Sequence, residues 1–262
     1  MPFLRDRRNV SIQHLGINAG AGMLRGIGSE FKFGTNPDVG SADETIWAYG
    51  GLYSYPLIAA IMTLSSSNTN DYATGTGAQS VRIYGLDANY NEVTEDLTLH
   101  ATDGLLGVNT ILSYLRVFRI YVLTAGSADT AAGNLYMGTG AIVAGEPTNV
   151  YGMAPLGHNQ TLQTVYTIPA GKTGYILRWN MSVNSGKIAD VDLKIRAPGE
   201  VFATKMSVNI YQTAYTQEFS LPFPLPEKVD LEMRASVASS GGDVSASYEI
   251  LLVDNDLILK NL

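Results

Sequence analysis

The feature that most constrains this chain is a period of two. Residues 175–183 (YILRWNMSV) set Tyr175, Leu177, Trp179, Met181 and Val183 against Ile176, Arg178, Asn180 and Ser182. Val191, Leu193 and Ile195 alternate with Asp192, Lys194 and Arg196, and Val229, Leu231 and Met233 with Asp230, Glu232 and Arg234. A strand points successive side chains to opposite faces, so each segment presents one apolar face only when extended. Turn chemistry separates the segments: PAGKTG at 169–174, NSGK at 184–187 and DANYN at 87–91. Composition agrees. Apolar residues make up 45% of the 262, and charged residues only 16%, which excludes a disordered chain. No apolar run is long enough for a membrane-spanning helix.

The first half reads similarly. Residues 57–64 are a short apolar run, a buried strand or a helical turn, before a polar loop at 65–78. Residues 81–99 make a hairpin about the Asx-rich turn. Residues 109–125, the richest β-branched and aromatic run, suit one strand buried between two layers, with a helix as the alternative. Short strands split by Gly/Pro turns predict an all-β chain: two β-sandwich, jelly-roll-like domains preceded by an extended N-terminal arm. The expected boundaries are an arm at 1–45, a first β domain at 46–148, a linker at 149–160 and a second β domain at 161–262.

Charge divides unevenly. The chain carries −7, yet residues 1–32 hold Arg5, Arg7, Arg8, Arg25 and Lys32 against Asp6 and Glu30, a net +3. A small basic arm thus precedes an acidic body, which disfavours nucleic acid as a partner. The N-terminus lacks the apolar run of a secretory signal. With no cysteine, disulfides, thiolate metal sites and thiol catalysis are excluded.

Sites of chemistry are sparse. AGKTG at 170–174 lacks the earlier glycine of a phosphate-binding loop, since Tyr166 stands there, and reads as a strand-connecting turn. TGTGAQ at 74–79 lacks the third glycine of a dinucleotide site. His14, His100 and His158 have no metal-ligand spacing, and no GxSxG elbow occurs. Asp190/Asp192 and Asp254/Asp256 could contribute to a calcium site, but Asx-rich turns are common at strand ends. No enzyme, cofactor or metal is expected. The aromatic cluster Trp47, Tyr49, Tyr53 and Tyr55 in WAYGGLYSYP suits an interaction surface better than a sugar site.

DETIWAYGGLYSYP (43–56), GTGAQSVRIYGLDANYNEVTEDLTL (75–99) and RVFRIYVLTAGSADTAAGNL (116–135) together resemble structural proteins of tailed bacteriophages, especially marine and cyanobacterial phages. So do YTIPAGKTGYILRWNMSV (166–183), ADVDLKIR (189–196), PFPLPEKVDLEMRASV (222–237) and DVSASYEILLVD (243–254). The resemblance is one of strands and turns, and it carries no functional residues over. It implies a virion component assembled in the bacterial cytoplasm, with the major capsid protein or other virion proteins as partners. The leading expectation is a capsid decoration (cement) protein, a homo-oligomer (dimer or trimer), on the capsid surface. It would bind the shell through Arg5, Arg7, Arg8 and Arg25, with Trp47, Tyr49, Tyr53 and Tyr55 as aromatic anchors. The alternative is a tail or head-fibre component that adsorbs to the host. Neither a membrane nor nucleic acid is expected as a partner.

Overall fold

A computed structural model describes residues 15–211, 213–238 and 241–259. Two short helices, α1 (Leu15–Gly20) and α2 (Asn255–Leu259), flank an all-β body of four antiparallel sheets. Sheet I runs β1 (Ile27–Val39), β17 (Gly242–Asp254), β11 (Lys172–Val183), β14 (Ala214–Glu218), with β15 (Pro224–Leu225) also on β11. Sheet II runs β10 (Tyr166–Thr167), β16 (Asp230–Val237), β12 (Ile188–Arg196), β13 (Ala203–Tyr211), with β2 (Glu44–Thr45) on β16. Sheet III runs β6 (Val108–Tyr114), β3 (Ala60–Ser66), β8 (Leu135–Val143), β9 (Glu146–Ala154). Sheet IV runs β5 (Glu92–Thr98), β4 (Ala78–Leu86), β7 (Arg116–Ala125).

This corrects the expected architecture. The chain does not form two jelly-roll sandwiches behind an arm; its four small sheets are arranged as the blades of a four-bladed β-propeller. Sheets I and II share one apolar core, centred on Trp179, Tyr248, Leu231 and Met233. Sheets III and IV share another, around Met62, Ile83, Ile120 and Leu135. A third cluster (Trp47, Tyr53, Tyr136, Val150, Met153, Val165) joins the flanks of sheet II to sheet III. Ionic contacts between β1 or β11 and sheet IV close the circuit. Period-two alternation reveals strands but not their sheets, and this chain changes sheet repeatedly: β3 to III, β4 and β5 to IV, β6 to III, β7 to IV.

Two boundaries also differ. Ile27–Val39, read as part of an extended arm, is a thirteen-residue strand paired along β17. Its inward side holds the small or polar residues Lys32, Gly34 and Asn36, so no apolar alternation announces it. Residues 149–154 of the expected linker belong to β9, despite Pro147 within that strand. β9 sits at a sheet edge, where a missing N–H is tolerated.

The 109–125 run is two strands in different sheets, not one. Between them Leu115 donates its N–H to Leu86 O at 2.7 Å. The apolar face expected on β11 holds only in part. A bulge between Ile176 and Arg178 inverts its phase, so Gly174 and Ile176 face inward before it and Trp179, Met181 and Val183 after it. Ala144 and Gly145, with φ of 50° and 84°, form the two-residue turn joining β8 to β9. A Cβ on Gly145 would lie 1.8 Å from Ser66 O.

Sheet IV ends in β7, whose outer backbone edge is covered rather than free. Gln163 Nε2 donates to Val117 O at 2.7 Å and Lys32 Nζ to Phe118 O at 2.7 Å. Thr161 N donates to Ile120 O, and Val122 N to Asn159 O. Such covering removes a template for edge-to-edge aggregation. The device leaves Lys32 only 2% exposed. Burial drives its ammonium down to about 7, with Glu30 opposing and Arg119 reinforcing the shift.

Candidate partner-binding surface

The aromatic segment after β2 turns largely inward. Trp47 and Tyr53 are buried and meet edge-on, with centroids 5.0 Å apart. Trp47 Nε1 donates to Gly51 O, and the Tyr53 hydroxyl to Tyr151 O. Tyr49 alone is exposed, at 40%. Its hydroxyl donates to Glu146 Oε1 at 2.5 Å, and that bond, aided by burial, pushes its pKa up to about 12.

Tyr55 belongs to a stack that sequence does not reveal. Its ring meets the guanidinium groups of Arg116 (5.0 Å) and Arg196 (4.3 Å). Phe202, 5.4 Å from Tyr55 centre to centre, meets Arg196 (4.5 Å) and Arg234 (4.9 Å). Carboxylates of β16 back the arginines. Asp230 accepts two bonds from Arg116, each 3.0 Å, and also bonds Arg196 and Thr167. Glu232 is fully buried and bonds Arg234, Thr45 and the Tyr55 hydroxyl. Burial raises the Glu232 carboxyl above its usual range, against the pull of Arg234. Burial also pulls Arg116 down, but its bonds to Asp230 outweigh that and leave it raised. Arg116 comes from sheet IV and Asp230 from sheet II, so the network ties sheets across the molecule. Its charges are satisfied from within, and it acts as a lock.

Exposed aliphatic side chains lie at the β3–β6 edge. β6 carries extra residues opposite Met62, and the register shifts between Ile61 and Thr63. One carboxylate fixes the protrusion: Glu95 of β5 accepts from Ile111 N at 2.7 Å, Leu112 N at 3.1 Å and the Tyr114 hydroxyl at 3.3 Å. Thr110 Oγ1 accepts from Met62 N and donates to Leu112 O. Ile111 is thereby held out at 81% exposure, beside Leu112 and Ile61. Leu57 and Ile58, on the approach to β3, are 94% and 78% exposed. A cluster of exposed aliphatic side chains on an anchored edge marks an interaction site more readily than scattered ones do. Sequence shows these residues as apolar but gives no sign that they face outward.

The other expected binding residues divide. Arg25 is exposed, while Arg5, Arg7 and Arg8 lie outside the described residues. Lys32, counted in the basic segment, is buried in the seam between sheets I and IV. Asp192 pairs with Lys194 at 2.9 Å, and Asp190 accepts from Asn209. Asn255, between Asp254 and Asp256, accepts from Thr173. Among the described residues, no group of three or more His, Asp or Glu side chains could hold a metal ion. Gly171, with φ of 74°, turns PAGKTG into β11 and donates its N–H to Glu227.

No protein-family profile matches the sequence, and no curated protein matches it. Weak likeness is found to solved structures of infectious bursal disease virus. The Gt strain structure is 10% identical over 90% of this chain and 82% of that one, with a TM-score of 0.17. The Gx strain structure has the same identity and coverage and a TM-score of 0.16. Likeness at this level carries no argument about fold or function.

Proposed function

We propose that this chain is a non-enzymatic structural protein of a phage virion, a decoration protein that binds capsid subunits and stabilises the shell. One observation carries the reading: exposed Ile111 and Leu112, which Glu95 anchors on β6, beside exposed Ile61 on the paired strand. The phage-like pattern of strands and turns points the same way. Binding only the assembled shell would stabilise it by mass action, since a ligand selective for one state shifts the equilibrium toward that state. The basic N-terminal residues would add electrostatic attraction to a neighbouring subunit. Among the four aromatics, only Tyr49 is exposed enough to join them.

The test is quantitative mass spectrometry of purified virions, with co-sedimentation of the chain on purified capsids. A copy number equal to the major capsid protein, or a simple fraction of it, supports a shell-wide decoration protein. A few copies per particle would favour the adsorption reading, and absence from virions would reject both. Truncation belongs after residue 14, because removing residues 1–32 would cut into β1 and delete Lys32. Ile111→Asp should abolish co-sedimentation while leaving the fold intact.

A further inference from the structure

Between β1 and the outer face of sheet IV runs a cleft of about 730 Å³. Three exposed aromatic rings line it: Phe31 (49%), Tyr84 (39%) and Tyr121 (46%). Tyr84 stands opposite Arg119 across the β4–β7 pair, and Tyr121 opposite Arg82, so both tyrosines lie on the sheet face away from the core. Glu30, Glu92 and Gln160 also line the cleft. Arg119 is fixed among them: it donates to Phe31 O at 3.0 Å and to Gln160 Oε1 at 3.4 Å, and it meets Glu30 at 3.5 Å. Its guanidinium also lies 5.5 Å from the Phe33 ring centre. Burial raises the Glu30 carboxyl, against the pull of Lys32 and Arg119.

We infer that this cleft binds a neutral saccharide, with sugar rings packed on Tyr84, Tyr121 and Phe31 and hydroxyls bonded to Glu30, Glu92 and Gln160. Flat rings cover the apolar face of a pyranose, while planar carboxylate and amide groups match paired hydroxyls. Other ligand classes fit less well. An extended peptide would need a free strand edge, but Phe31 O accepts from Arg119, Phe33 bridges to Gln163, and the β7 edge is covered. A phosphate or nucleic acid would need unpaired cations, but Arg119 pairs with Glu30, and Lys172 with Glu92 at 3.1 Å. The larger groove on the outer face of sheet I is a poorer site. It offers one exposed aromatic ring, Phe31, and one carboxylate, Asp243.

The test exposes the full chain to an array of neutral oligosaccharides built from glucose, galactose, mannose and N-acetylglucosamine, then titrates any hit by calorimetry. Expected is binding that weakens about tenfold or more in Tyr121→Ala, as loss of one stacking ring would give. Gln160→Ala should weaken it as well, and Ile111→Asp, on the distant aliphatic edge, should leave it unchanged. Retention of no glycan overturns the inference. So does a glycan whose affinity neither cleft substitution changes, or one displaced by an extended peptide. The assay uses the isolated chain, so its failure leaves the capsid-binding proposal standing, and failure of capsid binding leaves this inference standing.

Discussion

Asp230→Asn tests whether the arginine–aromatic lock holds the sheets together. Arg116 and Asp230 each have 5% side-chain exposure and meet through two 3.0 Å bonds. Among the described residues, Asp230 is the only carboxylate paired with Arg116. Neutralising it leaves a buried guanidinium unmatched, a defect that typically costs about 3–5 kcal/mol. Arg116→Met is a different perturbation. Asp230 keeps Arg196 at 2.9 Å and Thr167 at 2.5 Å, so its charge stays paired. The loss falls instead on Pro56 O and Leu115 O, which Arg116 bonds at 2.9 and 2.8 Å. Leaving such buried carbonyls unpaired costs about 1–3 kcal/mol. Asp230→Asn should therefore be the more damaging change. The double variant should lose less than the two single losses together, by about 1–3 kcal/mol of coupling. Urea unfolding of the wild type and three variants, followed by tryptophan fluorescence and circular dichroism, measures the cycle. A loss below about 1 kcal/mol in Asp230→Asn, or strict additivity in the cycle, would refute the lock.

Lys32 makes stability depend on alkaline pH. Its folded pKa of about 7 lies below the ordinary 10.5, so between these values the unfolded chain binds the extra proton and stability rises with pH. At about 1.4 kcal/mol per pH unit the full span is at most on the order of 4–5 kcal/mol; Lys32→Met should flatten the rise, and an unchanged slope in urea midpoints from pH 7 to 10 would contradict it. Glu95→Ala should free the β6 protrusion, seen as faster hydrogen exchange at Ile111 and Leu112, with a stability loss of about 1–3 kcal/mol. Gly145→Ala should cost about 2 kcal/mol or more, because it strains a turn at positive φ and drives a methyl into Ser66 O; a melting temperature equal to wild type would refute that reading of the turn. Ile111→Asp should stay within about 0.5 kcal/mol of wild type in stability, since the side chain is exposed.

Alternation was sufficient to find β4, β5, β11 and β12, but it did not announce β1, β8, β9 or β13. The β4–β5 hairpin forms where the Asx turn placed it, with Val81 opposite Leu97. β12 buries Val191 and Leu193 as its period requires, whereas β16 buries Asp230 and Glu232 of its polar face together with Leu231 and Met233. Where the pattern holds, it does so because side-chain direction in a strand is a local property. The same rule failed on β11, where one bulge inverted the phase, and on β1, whose inward side is not apolar. The site was less legible. Trp47, Tyr53 and Tyr55 read as anchors for a partner because aromatic clusters between glycines are common on interfaces, yet the fold uses them as internal cement. Nothing local marks Ile111 as outward, because its exposure depends on a carboxylate sixteen residues earlier in another sheet.

The sequence alone determined that this chain is all-β, lacks thiol chemistry and pairs a basic N-terminal stretch with an acidic remainder. Those properties follow from residue type and spacing. Only the tertiary structure decided which strands share a sheet and how the four sheets meet. It alone also showed that Arg116, Arg196 and Arg234 stack on two aromatic rings, and that Glu30, Tyr84 and Tyr121 face one cleft. Each of those facts joins residues far apart in the chain, and the pairing of distant strands is set by shared burial and hydrogen bonding, which no local period encodes.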